Sequence, residues 1–160
     1  GGVSGQGAAA GGQGVDVGIV AFHSGVTDKL AYTCRLVRKA WRSGQRVVVT
    51  GSADQLARLD SLLWTFEKGE FLPHARLRAG QALAAHLGRT PVLLADVAAE
   101  AGHGEVLINL GPAGVPGHRD FARVIEVVAD STGEVQSGRQ RWRAYLSEGV
   151  TPVNHVAGAA

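Results

Sequence analysis

The stretch RVVVTGSADQ, residues 46–55, contains the two signals that decide the fold. Its first half is an unbroken run of valines, and a strand without polar alternation is typical of a parallel sheet that is covered on both faces. Its second half places the hydroxyl of Ser52 three residues before Gln55, which is the pattern of a capping box at the start of a helix. A buried strand that leads through a tight turn into a helix predicts an α/β fold with right-handed strand–helix–strand units.

The segments on either side of this stretch continue the order of strand and helix. Apolar runs predict strands at residues 15–22, 46–50, 91–95, 106–110 and 124–128, with the last of these as the final strand. Helical spacing of apolar residues predicts helices at 27–43, from Ser52 onward, at 76–87 and at 132–147. We therefore expect a central, mostly parallel sheet with helices packed against it.

The ends of the chain differ in composition from this central part. Residues 1–14 contain only small and uncharged or apolar residues, too little surface to offset the entropy of ordering, and we expect a disordered extension. Residues 15–153 are expected to form one domain, and residues 154–160 a flexible tail of mainly small and apolar residues.

Charge and cysteine content narrow the classes of function. The net charge of +2 is too weak to indicate nucleic-acid binding without local clustering. The single cysteine, Cys34, lies in an apolar helical stripe and is predicted to be a core residue. No apolar run approaches the roughly 18 residues that span a membrane, and no signal-peptide pattern begins the chain. A cytoplasmic protein is expected.

Motifs for catalysis are absent from the sequence. No Walker loop, no Gly-x-Ser-x-Gly elbow and no zinc-ligand spacing can be found, and the six histidines show no close pairing. The turn at residues 50–52 follows a strand, where α/β enzymes often bind ligands, so a small nucleotide-dependent enzyme stays an alternative. The same turn is ordinary for any strand–helix connection. We predict no catalytic residue, no cofactor and no metal.

The stretch GRQRWRAYL, residues 138–146, combines three arginines with two large aromatic residues on the last predicted helix. At 100° per residue, an apolar stripe has Tyr145 on one flank and Arg139 with Arg143 on the other, whereas Arg141 points elsewhere. The stripe consists of Val135, Trp142 and Leu146. A pair of guanidinium groups beside an apolar stripe suits a ligand that carries carboxylates and a hydrophobic residue.

Two other interpretations of this helix stay open. The apolar stripe could pack on the sheet while the arginines only solvate the outer face. Alternatively, Arg139, Arg141 and Trp142 could bind a single-stranded nucleic acid directly, because arginine and aromatic side chains together bind unpaired bases. A second cluster, formed by Trp64, Phe66 and Phe71, lies at a helix end and in a loop, so we expect part of it to be exposed.

Five phrases resemble the chi subunit of bacterial DNA polymerase III in order and spacing over about residues 15–153. They are WRSGQRVVV (41–49), RLDSLLW (58–64), FLPH (71–74), VLINL (106–110) and RWRAY (141–145). The resemblance implies a three-layer, Rossmann-like α/β domain with a mostly parallel central sheet and no functional nucleotide-binding loop.

The resemblance also implies a function and two sites. It implies a non-catalytic accessory subunit of the clamp-loader assembly, a component of the DNA-directed DNA polymerase holoenzyme that works in the cytoplasm at replication forks. The expected partners are single-stranded DNA-binding protein, through its acidic C-terminal tail, and the psi subunit; contact with single-stranded DNA is then indirect, and no membrane is involved. The implied tail-binding residues are Arg139, Trp142, Arg143 and Tyr145, and the implied psi-binding residues are Trp64 and Phe71. Val135 stands where the family has a further basic residue.

Overall fold

Seven parallel strands form the central layer of the computed structural model, which describes residues 18–65, 70–81 and 85–158 of the chain. The strands are β1 Ile19–Val26, β2 Val47–Thr50, β3 His74–Leu77, β4 Val92–Ala95, β5 Val106–Asn109, β6 Arg123–Ala129 and β7 Val153–Val156. Their order across the sheet is β3-β4-β2-β5-β6-β1-β7. The first strand of the chain therefore lies between the last two. The predicted extension at residues 1–14 is outside the described residues.

Helices cover both faces of this sheet. They are α1 Lys29–Arg42, α2 Ala53–Thr65, the single turn α3 Ala85–Gly88, and α4 Thr132–Ser147, with short 3₁₀ turns at Ala98–Ala101 and His118–Asp120. Core residues of α1 and α2, such as Cys34 and Leu59, form one buried cluster with one side of the sheet. Tyr145 of α4 belongs to a second cluster on the other side. The predicted three-layer α/β fold is confirmed, and no helix in the described part of the chain could cross a bilayer.

The alternation of side chains along β1 and β6 assigns each residue to one of these clusters. Val20, Phe22 and Val124 face the α4 side, whereas Ile125 and Val127 face the side of α1 and α2. The central strands β2, β4 and β5 are buried along their whole length, which confirms the interpretation of the valine run. Cys34 is free and fully buried, as predicted, and burial raises the pKa of its thiol to about 11.

The capping box at the start of α2 is present in the structure. The hydroxyl of Ser52 accepts a hydrogen bond from the Gln55 backbone N–H at 3.1 Å, and Gln55 Oε1 accepts one from the Ser52 N–H at 2.9 Å. These bonds satisfy two backbone donors that a helix start leaves without a partner. Helix α4 spans the residues predicted for it.

Two of the predicted elements are wrong. Residues 76–87 do not form a helix, because His74–Leu77 is the edge strand β3, paired with β4. Gly80 then adopts a left-handed φ of 75°, which a continuous helix does not allow, and of the residues described in this segment only Ala85–Gly88 is helical. The strand at β6 is not the final one either, since Val153–Val156 forms β7 along β1. This strand extends across the boundary that we predict at residue 153.

Candidate protein-binding face on the last helix

Helix α4 lies very close to the sheet at Gly138. A Cβ atom at this position would stand 3.0 Å and 3.1 Å from the two methyl groups of Val128, so a larger residue would push the helix outward. The buried side of the helix consists of Gly138, Arg141 and Tyr145. The remaining residues of α4 are partly or fully exposed. This close approach decides which side chains reach inward and which face the solvent.

A buried carboxylate lies beneath the helix. Glu126, in the middle of β6, is fully buried, and its Oε1 accepts hydrogen bonds from Arg141 Nε at 2.8 Å and Asn109 Nδ2 at 2.9 Å. Its Oε2 accepts the hydroxyl of Tyr145 at 2.7 Å. Burial, followed by the charge of Glu126, raises the pKa of Tyr145, so this hydroxyl stays protonated and acts as a donor. Three donors from two elements thus compensate one charge inside the protein.

Arg141 is an internal residue that ties α4 to a neighbouring loop. Its guanidinium is 5% exposed, and Nη1 donates to the carbonyl of Pro112 at 2.9 Å and to the hydroxyl of Ser137 at 2.6 Å. Arg141 points away from the ligand surface, as expected, and it holds α4 to the sheet and to the loop at Pro112. Arg141 is not available for the direct nucleic-acid contact considered above.

Tyr145 lies beneath the surface of α4. Only 3% of it is exposed, its ring stands edge-on to Phe22 at 5.9 Å, and its hydroxyl is held by Glu126. The resemblance implies a place for Tyr145 in the tail-binding site. The structure gives it contacts that support the helix from within.

The outward side of α4 carries the residues that can meet a partner. Arg139 and Arg143 are exposed one helical turn apart, and neither forms an ion pair with any residue that the structure describes. Trp142 is half-buried, with its ring 5.1 Å from that of Phe22, and Leu146 is 47% exposed. We call Arg139, Trp142, Arg143 and Leu146 the arginine–tryptophan face. It offers two unpaired positive charges beside an apolar surface whose tryptophan is fixed by the sheet.

Val135 lies half-buried on the first turns of the same helix. The structure thus places a neutral side chain one turn before Arg139. The predicted apolar stripe of Val135, Trp142 and Leu146 is neither the buried centre of the helix nor fully solvated. It borders the core, with burial decreasing toward Leu146.

A second exposed surface lies at the opposite edge of the sheet. Trp64, at the end of α2, is 56% exposed and Phe71 is 62% exposed, with their ring centroids 5.5 Å apart. The ring of Trp64 also contacts the buried His74 at 4.7 Å, and His74 Nδ1 lies 2.8 Å from the carbonyl of Leu72. The expectation that this cluster is partly exposed is confirmed for Trp64 and Phe71, whereas Phe66 is outside the described residues. We call these two rings the aromatic patch.

The turn at residues 50–52 lines a cavity of about 410 Å³ at the carboxyl ends of β2, β4 and β5. Its polar side chains take part in internal hydrogen bonds. Thr50 donates to Asn109 Oδ1 at 3.1 Å, and Ser52 is part of the capping box. The structure therefore gives this turn the structural role that the sequence also allowed.

The residue that our sequence interpretation missed is Glu126. It stands in the run RVIEVVA of β6, and a carboxylate within an otherwise apolar buried strand needs a donor from the layer above. The only long helix after β6 carries three arginines, so the signal for a buried ion pair was present in the sequence. The particular arginine follows only from the way α4 packs on the sheet.

Comparisons with known proteins find similarity to one family. The profile of the family described as DNA polymerase III chi subunit, HolC, matches residues 18–153. The chain is 33% identical to DNA polymerase III subunit chi of Pseudomonas aeruginosa over 131 residues, which is 79% of this chain and 85% of that protein. It is 28% identical to DNA polymerase III subunit chi of Escherichia coli over 118 residues, or 72% of this chain and 77% of that protein.

Proposed function

The chain belongs to the DNA polymerase III chi subunit family, and on that premise we propose that it binds the C-terminal tail of single-stranded DNA-binding protein. It does so as a non-catalytic accessory subunit of the clamp-loader assembly, and it reaches the rest of the replicase through a psi subunit. Its contact with single-stranded DNA through this tail is indirect. It works in the cytoplasm, at replication forks.

The observation that carries this proposal is the arginine–tryptophan face. Arg139 and Arg143 present positive charges that have no ion-pair partner among the described residues, and they lie together on one side of the ring of Trp142, which packs against Phe22. An acidic peptide with a hydrophobic end supplies carboxylates for the guanidinium groups and an apolar group for the tryptophan and Leu146. A bidentate pairing with a carboxylate is stronger than a bond between neutral groups. One side of one helix can thus bind the carboxylates of the ligand and its apolar end.

The aromatic patch supports the second half of the proposal. Large aromatic side chains that are more than half exposed and touch each other are common anchors of protein interfaces. This patch lies beside β3, whereas α4 packs on β6 toward the other end of the sheet. One molecule can therefore hold the tail peptide and a psi subunit at the same time, as a connector between them requires.

Isothermal titration with the tail peptide of single-stranded DNA-binding protein tests the proposal. We expect Arg139→Ala and Arg143→Ala each to weaken binding by about 1–3 kcal/mol, because each removes a charged hydrogen-bond donor from a carboxylate. The double variant Arg58→Ala/Arg89→Ala is the matched control, since it removes two exposed charges outside α4. Unchanged affinity in Arg139→Ala/Arg143→Ala, or an equal loss in the control, would contradict the assignment of the site.

A gain of affinity provides an independent test of the same face. Val135 precedes Arg139 by one turn, so Val135→Lys adds a third positive charge in line with Arg139 and Arg143. We expect tighter peptide binding at low ionic strength and a smaller gain at high salt. If the affinity does not change at low ionic strength, the peptide does not extend along this side of α4.

A further inference from the structure

A group of basic side chains from four elements lies on the face of the sheet opposite α4. His23 of β1 is half-buried, and its pKa is lowered to about 4 by burial and by the positive charges of His155, Arg123 and Lys39. None of the groups that shift this pKa is a carboxylate. Four basic side chains from α1, β1, β6 and β7 are therefore gathered at one place. The lowered pKa leaves His23 neutral at pH 7, whereas Lys39 and Arg123 are charged and would be stabilised by a bound anion.

Strand register places these side chains on a common surface. Ile19 is opposite Arg123, Ala21 is opposite Val153, and His23 is opposite His155 in the parallel ladders of β1. Because side chains alternate along a strand, all of these residues share the face that packs against α1. The contact of Tyr32 in α1 with His23, with the hydroxyl 2.5 Å from Nδ1, agrees with this assignment.

The edge of the sheet forms a step beside α1. All four residues of β7 are exposed, and Ile19 at the start of β1 is 63% exposed, so α1 does not cover this margin. Arg35 and Lys39 are exposed on α1, and the guanidinium of Arg35 lies 5.7 Å from the centre of the Tyr32 ring. We name this surface the β1–β7 step. It consists of Ile19, Arg123, Val153 and His155 on the sheet and of Arg35 and Lys39 on the helix.

The cations of the step have no ion-pair partner among the described residues. Lys39, Arg35 and Arg123 form no side-chain ion pair with any residue in the described ranges, and the guanidinium of Arg35 lies over the ring of Tyr32. The floor of the step offers the exposed imidazole of His155, whose ring is tilted by 51° against that of His23 at 5.0 Å between centroids, and the exposed side chain of Val153. Positively charged side chains and partly apolar groups are thus available together on this surface.

From this arrangement we propose that the β1–β7 step binds single-stranded nucleic acid directly, with phosphates at Lys39, Arg35 and Arg123 and a base against His155. A backbone held by cations while bases lie on rings is the general mode of binding to unpaired strands. A flat lipid surface is less suitable, because α1 rises above the floor of the step and keeps a plane away from it. An acidic peptide would satisfy the cations but would leave the imidazole and Val153 without a flat partner.

This proposal does not depend on the tail-binding function, since it uses the opposite face of β1. Phe22 of that strand contacts Trp142, whereas Ile19 and His23 face the step. If both proposals are right, one molecule binds a DNA-bound protein with α4 and the single-stranded DNA itself with the β1–β7 step. The direct contact adds to the indirect one and is weak, because only three cations take part.

Fluorescence anisotropy with a labelled oligo(dT) of about 20 nucleotides tests the proposal on the full chain. Three phosphate contacts predict that the logarithm of the affinity falls against the logarithm of salt concentration with a slope of about −2. We expect Lys39→Gln/Arg123→Gln to weaken binding at least about tenfold at low salt and to reduce the slope to about −0.7, since one contact remains. His155→Ala should weaken binding about fivefold or more through the loss of stacking.

The matched control is Arg139→Gln/Arg143→Gln, which removes the same charge from α4. We expect it to retain oligo(dT) affinity within about threefold, and we expect the step variant to retain affinity for the tail peptide; both changes are at exposed positions, and thermal unfolding verifies their folds. Absence of oligo(dT) binding at low salt, or equal losses in both double variants, would overturn the proposal. So would step-dependent binding of poly-L-glutamate without binding of oligo(dT), which would identify the ligand as an acidic peptide.

Discussion

The arginine–tryptophan face and the aromatic patch are both exposed, yet they are supported in different ways. Beneath the first lies a buried carboxylate, Glu126, whose charge is balanced by donors from α4 and from Asn109. Beneath the second lies the buried ring of His74, whose Nδ1 lies 2.8 Å from the Leu72 carbonyl and whose Nε2 lies 3.1 Å from the partly exposed carboxylate of Asp60. The first surface thus stands on a fully buried ionic network, and the second on a single histidine whose carboxylate neighbour reaches the solvent.

Because of this difference, substitutions at the two surfaces should affect folding stability and binding differently. On α4, neighbouring arginines have different roles. Arg141 is buried and pairs with Glu126, whereas Arg139 and Arg143 are exposed and can bind a ligand. Loss of the buried charge of Glu126 should therefore alter both stability and the presentation of the face. At the aromatic patch the exposed rings contribute little to the core, so binding and stability should respond independently.

The largest expected effect follows from Glu126→Gln. This change removes the buried negative charge and leaves the guanidinium of Arg141 without compensation in a site that is 5% exposed. We expect a loss of about 3–5 kcal/mol in the free energy of unfolding, the range seen when one partner of a buried ion pair is removed. Urea denaturation followed by circular dichroism measures it.

The matched control for this prediction is Glu148→Gln, which removes an exposed carboxylate that contacts His118 at 2.9 Å and Arg119 at 3.5 Å. Exposed pairs contribute about 0–1 kcal/mol, so the control should remain close to the parent protein. Similar losses in the two variants would mean that the Glu126 network does not differ from a surface ion pair.

A smaller and more selective effect is expected for Trp64→Ala/Phe71→Ala. Loss of two exposed aromatic anchors should weaken binding of a psi subunit by about 2 kcal/mol or more. The free energy of unfolding should change by less than about 1 kcal/mol, because both rings are more than half exposed. Co-purification with psi and urea denaturation provide the two measurements. A large loss of stability without a loss of binding would identify the patch as part of the core.

Tyr145→Phe separates support of the helix from contact with the ligand. The change removes only the hydroxyl that donates to Glu126, so we expect a loss of about 1–2 kcal/mol in the free energy of unfolding. Affinity for the tail peptide should stay within about twofold, since the hydroxyl is buried. A drop of tenfold or more in affinity, with stability unchanged, would instead return Tyr145 to the binding surface.

The smallest effect expected is a difference in salt dependence between the two surfaces. Raising the salt concentration from about 0.1 M to about 1 M shortens the Debye length from about 10 Å to about 3 Å. Peptide binding to the arginine–tryptophan face should weaken, whereas psi binding through the aromatic patch should change little. Titrations at both salt concentrations give this comparison, and equal responses would show that the two surfaces do not differ in charge dependence.

The parts of the fold that local chemistry determines could be predicted from the sequence. The valine run of β2, the capping box of Ser52 and Gln55, and the bounds of α4 each depend on residues close together in the chain. Cys34 follows the same rule, since its helical stripe predicts burial. The two exposed aromatic residues were also predictable, because a loop seldom buries several large rings.

The remaining features depend on contacts between distant segments. Strands β3 and β7 have four residues each, and their polar residues at sheet edges give no clear alternation. The helical wheel of α4 shows which residues share a side, but the sheet decides which side is inward. The inward side is set by the close contact of Gly138 with Val128 and by the buried Glu126. Arg141 and Tyr145 therefore face the core.

The place of β1 between β6 and β7 has a consequence for how the protein is synthesised. Strands β2, β3, β4 and β5 are neighbours in the sheet and can associate as they leave the ribosome, but β1 has no partner until residues beyond 122 have been made. Pairings between the two ends of a chain are slow to form, and an unpaired strand is prone to aggregation while it waits. Phe22 of β1 supports Trp142, so the arginine–tryptophan face matures only when translation is nearly complete.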